Sequence, residues 1–567
     1  DVYKRQAMGA RLLRRWLERP LTDVNRIIQR QDGIEELTGH TTELSQLEEM
    51  LEHVFDFERI LTRIEANTTS PKDLLALKAS LGMIPEIKKL LFGTVSIVLR
   101  KLSDQMDIHS TVYELLDRSM NENGTGNIRD GKYIKEGYSA ELDEVRSLSE
   151  NSRKWIADLE EREKEKTGIK LKIGFNNVFG YYFEITNANK VPIPEYYMRK
   201  QTLVNAERYI TPELKEFETK ALSAKEKTEE LELKIYQAVK AAIRPEIAAM
   251  QRTAKALAAL DCLTGLSRAV LKDRYVRPQI TNSREGRISI HDGRHPMVEH
   301  ALKREMFVPN DTELNHTDQE MIIITGPNMA GKSTYMRQVA VLTIMAQTGS
   351  FIPAKSASFA PVDRIFTRVG AADDISTGQS TFMVEMKEVS HILCNATKNS
   401  LILLDEIGRG TSTYDGMSIA RAVVEYLNAN VHAYTLFATH YHELSDMAAE
   451  NEHIKNYTVT VKERGKEITF LRRIVPGSAD KSYGIHVARL AGLPESLLKR
   501  ADEILEGLEV EGIKEEPAAP VIRRETALNL FSSPIIDELA DLDVMSKTPI
   551  EAMEILFRLS KEAKEGR

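Results

Sequence analysis

The sequence predicts a multidomain chain: a mainly helical first part with a small β insertion, then an α/β part, then a helical tail. Three observations carry that reading. Apolar residues recur at helical spacing through the first 122 residues, with few strand-like runs. Between two long helical patterns, the stretch KLKIGFNNVFGYYFEITNA alternates instead and is rich in aromatic and β-branched side chains. From about Ile280, apolar strands and helices take turns until an acidic, Pro- and Ala-rich run, EVEGIKEEPAAP, after Leu508. At 567 residues the chain is too long for one ordinary domain, and three or four units are expected.

The elements follow in order. In the first part, Ser70-Pro71-Lys72-Asp73 reads as a helix start, with Ser at the N-cap and Pro at the first helical position. The segment NENGTGNIRDGKYIKEGYS then breaks the helical pattern. A long helix follows with Leu142, Val145, Leu148, Trp155 and Leu159 along one side, and it stops at Thr167-Gly168. Its return partner starts at Thr211-Pro212 and runs through Leu214, Phe217, Leu222, Leu231, Ile235 and Val239. Helices of about 25–30 residues reach roughly 40 Å at 1.5 Å per residue. The β unit between them is a pad at the tip of a lever. Within it, YYMRKQTL reads as an exposed turn. Near the end, TPIEAMEILFRLSKEA is amphipathic, with Ile550, Met553, Leu556 and Leu559 on one face.

Composition narrows the class. Hydrophobic content of 42% with 29% charge suits a core-forming protein, and no run approaches the roughly 18–20 apolar residues of a membrane span. Cys262 and Cys394 are too few for a disulfide framework or a zinc site, and their apolar surroundings predict two buried thiols and a cytoplasmic protein. The net charge of −8 is uneven: Glu509 to Arg567 holds 13 acidic and 8 basic residues, which leaves −3 for the first 508. A nucleic-acid surface would have to be local.

The chemistry begins at TGPNMAGKSTYMRQ, residues 325–338. Gly326, Gly331, Lys332 and Ser333 match G-x-x-x-x-G-K-[ST], with the apolar strand MIIIT before and a helical pattern after. Backbone N–H groups at the helix start would wrap phosphates, Lys332 would reach the β/γ-phosphates and Ser333 would ligate Mg²⁺. About 70 residues on, SLILLDEIGRGTS ends a strand in Asp405-Glu406. Asp405 would hold the hydration shell of Mg²⁺, and Glu406 is positioned to polarise an attacking water. A third strand, AYTLFAT, ends in His440, a γ-phosphate contact if it shares that sheet edge.

Together with FTRVGAADD, STFMVEM, LLDEIGRGTSTYDG and FATHYHEL, in this order and spacing, the phosphate loop closely resembles the MutS family of bacterial DNA mismatch repair ATPases. The resemblance extends upstream to MGARLLRRWLERPL, FERILTRI, GYYFEITNAN and NAERYITPEL. It implies an ABC-type ATPase that works as a dimer, possesses composite sites and uses ATP with Mg²⁺. Ser380 in STFMVEM would be offered across the dimer interface, its simpler alternative being a helix N-cap. Phe307 in MFVPND matches the aromatic that stacks on adenine, its alternative being a core aromatic. Gly326, Pro327, Asn328, Met329, Ala330, Gly331, Lys332, Ser333 and Thr334 form the implied nucleotide loop. The implied domains are core and lever at 1–155 and 220–278, a DNA clamp at 156–219, the ATPase and dimerisation domain at 279–508, and a tail at 509–567.

The clamp region carries seven basic residues between Gly168 and Lys215 against four acidic ones, so sequence-independent phosphate contacts are expected there. Arg199, Lys200 and Arg208 are the first candidates to touch double-stranded DNA. Ala527-Leu528-Asn529-Leu530-Phe531 resembles the Q-L-x-L-F peptide that docks on the replication sliding clamp, with Ala in place of Gln. The final helix resembles a segment that pairs dimers into tetramers, and a MutL-type partner is implied. The family's mismatch-reading context, G-x-F-Y-E, does not occur. With the opening DVYKRQ set before a segment that reads as mid-helix, a reading frame lacking the mismatch-recognition and connector domains is expected. The alternative function is binding of recombination junctions, as in relatives without that reader.

Overall fold

The structure is a computed structural model. It describes residues 7–124, 128, 131–176, 180–282, 286–302, 306–327, 330–369, 381–464, 467–478, 484–512, 555 and 558. Two compact units divide the chain, Asp1–Val487 and Ala488–Arg567. In the second, the described part is chiefly the helix Glu495–Gly512, so the expected docking peptide at 527–531 and nearly all of the final helix lie outside the described residues.

The first unit opens with helices α1 (Ala7–Glu18), α2 (Val24–Gly39), α3 (Thr41–Glu52), α4 (Phe57–Glu65), α5 (Pro71–Leu90), α6 (Ile97–Gln105) and α7 (Ser110–Ser119). Their apolar stripes close one core, in which Ile34, Leu44, Phe57, Ile64, Leu77 and Ile84 are fully or almost fully buried. The start of α5 matches the sequence reading. Ser70 accepts from the Asp73 N–H, Asp73 returns a bond to the Ser70 N–H, and Pro71 begins the helix.

Helix α8 (Ala140–Thr167) leads to strands β1 (Leu171–Asn176), β2 (Gly180–Thr186), β3 (Met198–Thr202) and β4 (Ala206–Ile210), and α9 (Pro212–Ile243) returns. Gly168 ends α8 in the left-handed conformation, and Thr211 caps α9 by accepting from the Leu214 N–H. The two helices are 28 and 32 residues long. Trp155 of α8 stacks on Phe217 of α9 with centroids 3.8 Å apart. The four strands pair antiparallel in the order β1-β2-β4-β3, and Phe183, Ile185 and Tyr209 pack with Leu159 and Leu214 of the helices. The pad is thus part of the helical pair's own core. Residues 198–202 correct the reading of an exposed turn. MRKQT is the edge strand β3, exposed on most of its length because it pairs only with β4.

Helix α10 (Ile247–Asp273) runs back through the helical core and is buried on nearly every side. The rest is α/β: β5 (Gln279–Ile280), β6 (Arg287–Gly293), α11 (Pro296–Ala301), β7 (Asn310–Asn315), β8 (Met321–Thr325), α12 (Lys332–Thr348), β9 (Ser356–Phe359), β10 (Ile365–Arg368), α13 (Thr381–Asn395), β11 (Leu401–Asp405), α14 (Thr413–Tyr426), β12 (Tyr434–Ala438), α15 (Met447–Glu450), β13 (Ile454–Arg464) and β14 (Glu467–Pro476). Six strands form one sheet in the order β10-β11-β12-β8-β13-β14, parallel except for β14. One face packs on α12 and the small sheet β5-β9-β6-β7, the other on α13, α14 and α15. Coverage of both faces explains why MIIIT and YTLFA are buried at every position rather than at alternate ones.

Cys262 is buried as expected, its thiol donating to the Gly9 carbonyl at 3.1 Å. Cys394 is exposed, which corrects the second thiol. Helix α13 buries Glu385, Val389 and Ile392, and position 394 falls on the other side. Among the described residues, no helix is long and apolar enough to cross a membrane.

Candidate nucleotide site

The site is built by strand register. In the parallel ladder Ile324 pairs with Ala438, and Ala438 with Asp405, so three strands end level at one edge of the sheet. The residues that follow continue the ladder: Thr439 donates to the Ile324 carbonyl at 3.1 Å, and Glu406 to the Ala438 carbonyl at 2.9 Å. Whatever comes next on each chain segment is therefore brought together. Those residues are the phosphate loop, Glu406 and His440.

The loop leaves β8 through Gly326 at φ +131° and enters α12 through Gly331 at φ +103°, both in the region that favours glycine. Gly331 leads into α12, so the helix's first N–H groups and its positive dipole end face the loop. Lys332 is 4% exposed, and its ammonium donates to the carbonyls of Gly326 and Pro327, the latter at 3.2 Å. Burial pushes that ammonium below the ordinary lysine value, opposed by Glu406 and Asp405. Glu406 and Asp405 favour the charged ammonium, and its bonds to neutral loop carbonyls are ones that phosphate oxygens could replace. Pro327 and Ala330 are buried, Ser333 and Thr334 half-buried. Asn328, Met329 and Ser380 lie outside the described residues.

Ser333 and Asp405, the two expected metal ligands, come together: the Ser333 side chain neighbours the Asp405 carboxylate and favours its charged form. Burial nonetheless raises the Asp405 carboxyl, and its Oδ1 is buried without a hydrogen-bond partner. An unsatisfied carboxylate oxygen beside a serine hydroxyl fits Mg²⁺, which uses one or two protein oxygens and completes its shell with water and phosphate. Among the described residues no group of three or more His, Cys, Asp or Glu forms a metal cage, in keeping with so sparse a ligand set.

Glu406 adopts φ +56°, a left-handed conformation that costs a side-chain-bearing residue of order 1 kcal/mol or more. Its carboxylate accepts from His440 Nε2 on one oxygen and from Arg409 on the other. His440 above all, with Arg409, holds the carboxyl at about 2. A carboxylate depressed in the folded state stabilises the fold above its unfolded value of about 4.3, and that contribution is lost as pH falls toward about 2. The stability gap between the parent chain and Glu406→Gln is accordingly expected to shrink below about pH 4, read locally as amide-exchange protection of the strands and loop around residues 401–410. A gap that widens on acidification contradicts this electrostatic assignment.

Three residues of the site escaped the sequence reading. Glu385 of α13 accepts from the Gly408 N–H at 2.6 Å and lies 3.4 Å from Arg368, tying the STFMVEM helix to the loop that holds Glu406. Its signal was a carboxylate on the same helical stripe as Val389 and Ile392. Arg409 carried no signal beyond its closeness to Glu406. Asn310 is buried and bridges strands, donating to the Arg472 carbonyl at 3.1 Å and accepting from the Ile474 N–H at 2.7 Å. The same loop shows why glycine stands at 408 and 416: a Cβ at Gly416 would lie 2.2 Å from the Gly408 carbonyl oxygen.

Phe307 is half-buried and lines a cavity of about 170 Å³ with Leu302, Gly331, Thr334, Gln338 and Arg472. The cavity opens beside the phosphate loop, at a size suited to a planar base. On the β pad, Arg199 and Lys200 are exposed, Arg199 donating to Glu207 at 3.0 Å. Arg208 is more enclosed, bonded to Glu184 at 3.2 Å and Gln201 at 2.9 Å, with its guanidinium 4.2 Å from the Tyr182 ring.

Two family models match the chain, MutS domain III over residues 5–267 and MutS domain V over residues 322–509. Among its relatives are proteins named DNA mismatch repair protein MutS from Caldicellulosiruptor bescii, 48% identical, and Syntrophomonas wolfei subsp. wolfei, 49% identical. The alignments cover 98% of this chain and 66% and 64% of those proteins. The protein of the same name from Clostridium perfringens is 45% identical over 98% of this chain and 67% of its own length. The chain thus spans about two thirds of the length of the relatives it matches. With both domain models matched and the phosphate-loop, Asp405-Glu406 and His440 segments meeting at one sheet edge, the chain belongs to the MutS family.

Proposed function

We propose that this chain is the ATP-driven, DNA-holding core of a DNA mismatch repair protein. Two copies close around duplex DNA when ATP binds, and hydrolysis resets them. The observation that carries this reading is the convergence of Lys332, Ser333, Asp405, Glu406 and His440, in a chain 45–49% identical to relatives of that name. Those names favour mismatched duplexes over recombination junctions.

In this reading Phe307 stacks on adenine, and the N–H groups from Gly326 to Thr334, with Asn328 and Met329 among them, wrap the phosphates. Lys332 leaves its own loop carbonyls to reach the β/γ-phosphates. Ser333 and Asp405 would hold Mg²⁺, which supplies positive charge against the phosphate oxygens. Glu406 orients the attacking water and takes its proton, and His440 steadies Glu406 while facing the γ-phosphate. Ser380 completes the site of a second copy, making the catalytic unit an ABC-type dimer. Residues 1–155 and 220–278 act as core and lever, 156–219 as the clamp, 279–508 as the ATPase and 509–567 as a tail. That tail would engage a sliding clamp through Ala527–Phe531 and join dimers into tetramers. A MutL-type partner would read the ATP-bound form.

Arg199 and Lys200 would touch DNA phosphates directly, and Arg208 would brace β3 against β4 from its bonded position. The test is binding to a plain duplex and to the same duplex with one mismatch, with and without ATP, over a salt series. The expected result is salt-sensitive binding that changes with ATP. Lys200→Ala is expected to lower the slope of log K against log salt by about 1 on either duplex. Salt-insensitive binding, or binding blind to ATP, overturns the reading.

A further inference from the structure

The phosphate loop opens helix α12, and the other end of that helix is fastened to the helical core by an unusually dense set of contacts. The helix is about 25 Å long at 1.5 Å per residue. At its last turn Arg30 of α2 donates to the Thr348 carbonyl at 2.7 Å, and the same guanidinium lies 3.6 Å from the Trp16 ring centroid of α1. The Thr348 hydroxyl donates to the Trp16 carbonyl at 3.3 Å. Gln347 and Leu21 exchange two bonds, one from each side, both at 3.0 Å. Gly349, at φ +88°, leaves no room for a side chain, since a Cβ there would stand 2.5 Å from Arg30 Cβ.

Helix α2 also grips the segment that joins α10 to the α/β part. Gln31 donates to the Pro278 carbonyl at 3.1 Å, and Arg277 pairs with Asp32 at 2.6 Å and with Glu35. Neighbouring positions of one helix therefore touch both the end of the phosphate-loop helix and the exit of α10.

We infer that α2 is the transmission element between the nucleotide site and the helical core, and that Arg30 is the positioning residue through which displacement of α12 is passed on. The physical basis is rigidity. A helix held at its far end by a charged cap, an aromatic stack and paired amide bonds cannot shift at its phosphate end without moving α1 and α2. Arg30 meets no phosphate itself and acts through α12. Lysine would keep the charge but lose the flat stack, so the site calls for arginine. This inference rests on the reading of the loop as an ATP site.

The test is amide hydrogen exchange on the 567-residue chain, with and without Mg²⁺–ATP, alongside an ATP affinity for each protein. In the parent chain ATP is expected to change exchange in residues 7–39 at least about threefold. Arg30→Met is expected to keep ATP affinity within about twofold while losing that distant response. Arg30→Lys serves as the milder variant if the first does not fold, and is expected to retain only part of the response. A response that survives in the variant, or that is absent in an ATP-bound parent, overturns the inference. So does loss of ATP affinity in step with the response, which would make Arg30 a prop for the site. A parent chain that binds no ATP instead refutes the reading of the site.

Discussion

Replacing Glu406 by glutamine is expected to lower ATP turnover by about 10²- to 10⁴-fold, the usual contribution of a positioned general base, while ATP affinity stays within a few-fold. The side chain keeps its volume, so the loop from Glu406 to Gly410 has no steric reason to collapse. What is lost is the proton acceptor, whose ionised form His440 and Arg409 hold in place. The neighbouring Lys332, Ser333 and Asp405, which carry nucleotide and metal binding in this scheme, keep their own contacts. Steady-state turnover beside equilibrium ATP binding separates the two effects. Turnover within about tenfold of the parent chain would place the base elsewhere.

The second large effect concerns the helical pair. Glu232 of α9 is 2% exposed and accepts from the N–H groups of Lys132 and Ile134, both at 3.1 Å, and from Arg146 of α8 at 2.6 Å. One carboxylate thus ties the loop at 131–138 and the base of α8 to α9. Glu232→Ala would take this carboxylate from two backbone donors and leave the partly buried Arg146 guanidinium with the Ile134 carbonyl and the more distant Asp143, a loss of about 3 kcal/mol. A chain of several domains does not unfold in a single step, so the effect should be read locally, as lost amide-exchange protection over residues 131–146. Protection reduced by less than about 1 kcal/mol would show that the carboxylate is dispensable.

What the sequence reveals here is what local chemistry decides. Ser70 and Thr211 cap helices because a short side chain meets free N–H groups two or three residues on, and Gly168 stops α8 because glycine tolerates a positive φ. The phosphate loop and the Asp405-Glu406 pair were legible for the same reason, each being a strand followed by an unusual turn. Their meeting point was less legible, because it depends on register between strands distant in sequence. Residues 198–202 look like a turn on composition and become a strand only because β4 offers an edge. Cys394 has apolar neighbours yet sits outside the buried stripe of its helix. Glu385 and Arg409 were missed because a polar side chain's partner is a property of the fold, not of its neighbours along the chain.

The proposed closure of two copies around DNA has a topological consequence: a ring can leave a duplex only over its ends. The most direct measurement follows the release of this chain from a duplex with free ends and from one with both ends blocked, after ATP is added. Salt should be high enough to suppress simple phosphate contacts. A closed dimer predicts rapid loss from the free-ended duplex and retention on the blocked one. Equal release from both would contradict closure and leave ATP as a mere regulator of affinity.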